Sequence, residues 1–164
     1  MAQAALRGKR TADRDPPATH RTRYEDDLYT WVQEQVDLLR GGTIDALDLN
    51  NIAEELSDVG AEQYDRLESA LEVLLLHILE WDHQPERRSR SWVLMIVEQR
   101  KRVDKVLRKN PGLKSRFAEA VEDGFDLGRV RAAREMKREL ETIPDLCPYD
   151  WDAITTRPFS LDRV

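Results

Sequence analysis

The sequence predicts an all-α fold: a single-domain helical bundle with a long second helix, about four main helices in all, and a short C-terminal helix. Three observations carry this. From Tyr24 onward apolar residues recur at threes and fours, the spacing of one helical face. Glycine, proline and capping side chains interrupt that pattern where helices would have to start and stop. No segment shows the alternation of a half-buried strand, and no Asn-Gly hairpin signal occurs after Tyr24. A chain of 164 residues with 40% apolar content is long enough to bury one core without disulfide or metal staples.

Residues 1–23 carry six Lys or Arg against two Asp, include Pro16-Pro17 and lack periodicity, so they are expected to form a disordered basic leader. The helical domain is expected over 24–155, with a C-terminal tail over 156–164. The first helix places Leu28, Trp31, Val32, Gln35, Val36 and Leu39 on one face and stops at Gly41-Gly42. The second starts at Asp48 or Asn50 and runs to Pro85, its apolar stripe passing through Leu49, Ile52, Leu56, Val59, Leu67, Leu71, Leu74, Ile78 and Trp81. Gly60 invites a kink or break near Asp58. Between Val73 and Leu79 apolar residues surround the helix, which puts this stretch deepest in the core.

Ser89 or Ser91 can cap the third helix, from Trp92 to about Lys109, with Trp92, Ile96, Val103 and Leu107 facing inward. Asn110-Pro111-Gly112 ends it and starts a fourth, with Leu113, Phe117, Val121 and Phe125 inside, continuing toward Met136 and Leu140. Gly124, Gly128 and Ala132 lie four apart, so a neighbouring helix can approach closely along that line. Pro148 opens the short last helix, which closes the core with Trp151 and Ile154.

Charge is the most uneven property of the chain. Residues 24–85 hold sixteen acidic side chains and two basic ones, whereas residues 86–116 hold three acidic and eleven basic. The expectation is that acidic helices one and two lie beside basic helix three, an arrangement that selects pairing more than it adds stability. Arg87, Arg88 and Arg90 crowd the start of the third helix, where cations oppose the helix dipole unless negative charge is near. Carboxylates at Glu80, Asp82 or Glu86 can answer them. So can a phosphate, held by Arg87, Arg88, Ser89, Arg90, Ser91 and Arg100 as an anion-binding set. Duplex nucleic acid is disfavoured by the overall charge of −6.

Gln99 and Arg100 interrupt the apolar face of the third helix, either as buried structural groups, with Glu54 or Glu55 facing Arg100, or as the wall of a pocket. Glu80 and His83 have the Glu-x-x-His spacing of di-iron bundles, which with Glu55 and His77 gives a weak metal set; a full site would need a second such pair, and the sequence has none. His77, on the apolar stripe, reads as a hydrogen-bonded core histidine. Cys147 reads as a structural thiol. Nucleotide-binding glycine loops and nucleophile elbows are absent, so no catalytic residue is assigned and no cofactor is expected. No apolar run approaches the roughly 20 residues of a membrane span, and the first residues hold no signal core.

Several segments together resemble a known family: Tyr24 to Arg40, Asp45 to Leu56, His77 to Arg102, Asn110 to Leu113, and Cys147 to Trp151. The most specific is His77-x-x-x-Trp81 running into Gln84-Pro85-Glu86-Arg87-Arg88-Ser89-x-Ser91-Trp92. They look like the bacterial domain of unknown function 29 family, over about 24–155. The resemblance implies a bacterial, all-α, cytoplasmic protein and carries no activity. The function expected is therefore a non-enzymatic interaction or regulatory domain, with an unknown protein partner or self-association. Anion or nucleic-acid binding at the third helix, and a metal-dependent enzyme, are the alternatives.

Overall fold

The computed structural model describes residues 21–161, and the chain divides into two compact units, 1–53 and 54–164. All but the last three residues of the expected leader, and the last three of the expected tail, lie outside the described residues. Among those described there are five α-helices and no strand: α1 (Leu28–Arg40), α2 (Leu49–His83), α3 (Arg90–Lys109), α4 (Phe117–Met136) and α5 (Trp151–Thr155). None is long and apolar enough to cross a membrane.

In the first unit, α1 starts at Leu28, capped by Asp27, rather than at Tyr24. The Asp27 carboxylate accepts from the Thr30 backbone N–H at 3.0 Å and from its hydroxyl at 2.6 Å, satisfying a free donor of the first turn. The helix stops as expected at Gly41, and Gly42 takes φ 72°, a left-handed conformation that suits glycine. Trp31 is buried, with the Tyr24 ring edge-on at 5.0 Å. Gln35 is buried too, and its Oε1 accepts from the Asp48 N–H at the start of α2. Thr22 donates twice to the Glu34 carboxylate and Arg21 donates to the Ala46 carbonyl, so residues 21–23 are part of this unit rather than of a free leader. Leu28 and Leu39, expected inside, are exposed.

The second unit is built around α2, an unbroken helix of 35 residues and therefore about 52 Å long. Leu71, Leu74, Leu75, Leu76, Ile78 and Leu79 are all buried, as the all-round apolar pattern requires. The break expected near Gly60 does not occur, because backbone hydrogen bonding continues through it. A Cβ at Gly60 would meet nothing within 4 Å. Gly60→Ala is thus expected to raise stability by about 0.5–1 kcal/mol in urea unfolding, since alanine gives up less backbone freedom in a helix.

Helix α3 contributes Ile96, Val103 and Leu107 to the core, and α4 contributes Phe117, Ala120, Val121, Phe125 and Ala132. The glycine line on α4 does what its spacing implies: an added Cβ at Gly124 would lie 3.0 Å from the Glu68 carbonyl oxygen, and at Gly128 2.8 Å from that of Glu72, so α4 lies backbone-close to α2. The α-helix begins at Phe117, not at Pro111; residues Pro111–Arg116 form 3-10 turns first. Ile154 of α5 is buried, while Trp151 stays half-exposed with its ring edge-on to Phe117 at 4.4 Å. The segment after α5 does not hang free, because Phe159 packs edge-on against Trp81 at 5.5 Å.

Candidate binding groove

The arginines at the start of α3 do not share one open site. Arg88 donates from Nε to the Trp81 carbonyl at 2.9 Å and lies over the Trp81 ring. Arg87 reaches Gln84 Oε1 at 3.5 Å, and Ser89 caps α3 by accepting from the Trp92 N–H. Arg90 and Ser91 are exposed and make no side-chain hydrogen bond among the described residues. Arg100 is elsewhere. Its guanidinium donates to the carbonyls of Ile154 at 2.7 Å, Ala153 at 3.0 Å and Arg157 at 2.7 Å, and lies over the Phe159 ring. Carbonyls at the end of a helix carry its negative pole, so Arg100 is drawn to the end of α5 and not to Glu54 or Glu55.

Beside this latch Asp82 accepts from Arg157 at 2.9 and 2.5 Å and from the Tyr149 hydroxyl at 3.1 Å. Burial alone would push the Asp82 carboxyl up, but the Arg157 bonds and charge, with Tyr149 and Arg88, together hold it below the usual carboxylate range. A depressed acid contributes stability that is present above its unfolded pKa and lost as pH falls through the folded value. Asp82→Asn is therefore expected to cost about 1–3 kcal/mol at neutral pH. The difference from wild type should shrink once pH drops below about 4. Urea unfolding of both proteins across that range reads it, and a pH-independent difference would contradict the ion-pair account.

The metal set does not assemble. His77 Nδ1 and Glu80 Oε2 are hydrogen-bonded at 2.8 Å, but Glu55 is on the same unbroken helix about 33 Å from His77. Among the described residues no three His, Cys, Asp or Glu side chains could hold one ion. Cys147 is half-buried, which pushes its thiol up and away from thiolate reactivity.

What the structure does open is a groove between α2 and α3, of about 740 Å³. Ala70, Val73 and Val106 give it an apolar floor. Arg102, Lys105 and Lys109 line it from α3; Glu62, Asp65 and Arg66 line it from α2. Asn110 closes one end, donating to the Gln63 side chain and to the Val106 carbonyl. Gln99 lies at the other end, only 4% exposed. Its amide makes no hydrogen bond among the described residues, and no polar side-chain atom is fully enclosed without a partner, so this amide opens onto the groove.

The basic charge of α3 also goes unanswered across this groove. The expected pairing of α3 with carboxylates of α2 is not found among the described residues. Ion pairs form instead along single helices, Arg66 with Glu62, Arg102 with Glu98 and Arg108 with Asp104, at the four-residue spacing that brings side chains together. Lys105 and Lys109 make no ion pair among the described residues. An amide offering both a donor and an acceptor, an apolar floor and unpaired lysines suit a polypeptide segment better than a reacting substrate. Of the residues singled out by sequence, Gln99 belongs to this groove. Asp65 of α2 was missed, as were Lys105 and Lys109, to which the charge excess of helix three was the signal.

A family model described as Domain of unknown function DUF29 matches residues 23–160. No curated protein and no solved structure matches the chain.

Proposed function

Since this chain belongs to the DUF29 family, whose description carries no activity, we propose from its own geometry that it is a non-enzymatic interaction module that docks a protein helix in the groove between α2 and α3. The observation that carries this is Gln99: a side chain 96% withdrawn from solvent whose amide has no partner among the described residues and faces an open groove. Because this amide opens onto the groove, an occupant with a matching polar group can hydrogen-bond it directly. The lined stretch of each helix is about 17 Å long, the length of some eleven helical residues, and its apolar floor flanked by charge is the surface onto which an amphipathic helix packs. Helices with acidic flanks are favoured because Lys105 and Lys109 stand unpaired among the described residues. A reducing, cytoplasmic setting is in keeping with the single cysteine.

Selection from a display library of amphipathic helical peptides, using the purified full chain as target, tests this. Enriched helices should carry acidic flanks. They should bind Lys105→Glu/Lys109→Glu at least about tenfold more weakly than wild type. No enrichment, or enriched helices indifferent to those substitutions, would sink the proposal.

A further inference from the structure

We infer that the cleft between the first turns of α4 and the segment leading into α5 binds a small compound bearing a quaternary ammonium group. This cleft shares no residue with the groove between α2 and α3, and the inference does not rest on helix docking there. Its volume is about 470 Å³, within the range of about 300–1,000 Å³ usual for small-molecule pockets. Three aromatic rings line it: Phe117 at the start of α4, Tyr149, and Trp151 at the start of α5, together with the buried side chains of Val121 and Ile154. Each ring has its own anchor. Phe117 belongs to the core, the Tyr149 hydroxyl donates to Asp82 at 3.1 Å, and Trp151 opens a helix capped by the Asp150 carboxylate, which accepts from the Ala153 N–H at 2.8 Å. The Phe117 and Trp151 rings are inclined by 64°, so they form adjacent walls of a corner rather than a closed stack, and Trp151 is half-exposed. Walls fixed in advance leave little to be ordered when a ligand arrives.

Charge selects a cation. The face of an aromatic ring carries the negative part of its quadrupole and attracts positive charge. On other rings of the chain a guanidinium already takes that place: Arg88 over Trp81, Arg116 over Tyr64, and Arg100 and Arg157 over Phe159. No such contact is made with Phe117, Tyr149 or Trp151 among the described residues. The one charged side chain lining the cleft is Glu122, which makes no hydrogen bond or ion pair among the described residues. Arg116, close to it in sequence, is spent on Glu119, to which it donates at 2.9 and 2.6 Å. The chemistry of the walls then selects the kind of cation. A primary ammonium brings three N–H donors, each of which needs an acceptor once withdrawn from water. Among the lining side chains only the Glu122 carboxylate is an uncommitted acceptor, because the Tyr149 hydroxyl is tied to Asp82 and the Cys147 thiol is a weak partner directed at the Tyr149 carbonyl. A quaternary ammonium has no N–H to satisfy, and it spreads its charge over methyl groups that pack on rings and aliphatic side chains alike.

Calorimetric titration of the full chain with choline should give a one-site isotherm. Dimethylbutanol, the uncharged carbon isostere of choline, should bind at least about tenfold more weakly. Glu122→Gln, at an exposed position where folding is not at stake, should weaken choline about two- to fivefold and leave dimethylbutanol unchanged. Trp151→Leu keeps an apolar side chain but removes the ring, and should weaken choline about fivefold or more with an unchanged helical circular-dichroism spectrum; Trp151→Phe should recover most of that loss. Cys147, the only cysteine of the chain, lines the same cleft and reports where the ligand sits, since bound choline should slow its alkylation. Equal affinity for choline and dimethylbutanol would reduce the cleft to an apolar surface and overturn the inference. So would the absence of any binding heat at tens of millimolar choline, or binding that leaves Cys147 alkylation unchanged. A peptide carrying trimethyl-lysine that binds where choline does not would overturn the assignment to a small compound.

Discussion

Gly128→Ala is expected to lower stability by about 1–3 kcal/mol, although alanine is the better helix former by about 1 kcal/mol. The reason is the atom that an added methyl would meet. At Gly128 it would lie 2.8 Å from the Glu72 carbonyl oxygen, and at Gly124 3.0 Å from both the Glu68 oxygen and the Glu72 nitrogen. These are backbone atoms of α2, whose positions are held by the helix hydrogen bonds, so relief requires α4 to move away from α2 as a whole. That movement loosens Phe125 and Val121, which pack in the same layer. Gly60→Ala is the internal control, being the same substitution in an open part of α2. Urea midpoints should therefore move in opposite directions for the two variants. Equal shifts would mean that the close approach of α4 to α2 is not what glycine provides.

Leu75→Ala is expected to cost about 2–5 kcal/mol, by lost burial and by the cavity left behind. Leu75 is fully buried in the stretch of α2 that is apolar all round. Leu56→Ala, on the same helix, should change monomer stability by no more than about 0.5 kcal/mol, because Leu56 is exposed. Measured in dilute protein, the pair distinguishes an apolar residue that builds the fold from one that is kept for contact with something else. Similar costs at both positions would show that Leu56 is covered within its own chain.

Most of the helical architecture was legible because its causes are local. Periodicity marked the buried face of α3 and of the second half of α2, although Leu49, Leu56 and Val59 of the same α2 stripe stay exposed; Ser89 announced the start of α3, Gly41-Gly42 announced the end of α1, and the spacing of Gly124 and Gly128 announced a close helix contact. Element ends that depend on longer geometry were less so, as at Pro111, where 3-10 turns precede the α-helix of Phe117. The anchoring of Arg157 and Phe159 was missed because no periodic pattern extends past α5. The groove was half legible. Gln99 and Arg100 stood out together as polar residues on an apolar face, but neighbours on a helix point about 100° apart. Arg100 therefore reaches carbonyls more than fifty residues away in sequence, while Gln99 faces an opening. The basic excess of α3 was visible too. Where it would be answered was not, since the pairs that form are local ones and leave Lys105 and Lys109 without a carboxylate among the described residues.

The Gln99 side-chain amide is the most direct reporter of the proposed function. Its two N–H resonances can be assigned in a nitrogen-15 correlation spectrum by their loss in Gln99→Leu, and then followed as a selected acidic-flanked helix is added to the full chain. If the groove docks a helix, these resonances shift with the occupancy of the peptide, and Gln99→Leu binds the same peptide about tenfold more weakly. If the peptide binds while the Gln99 resonances stay in place and the variant keeps full affinity, the groove is not the docking surface.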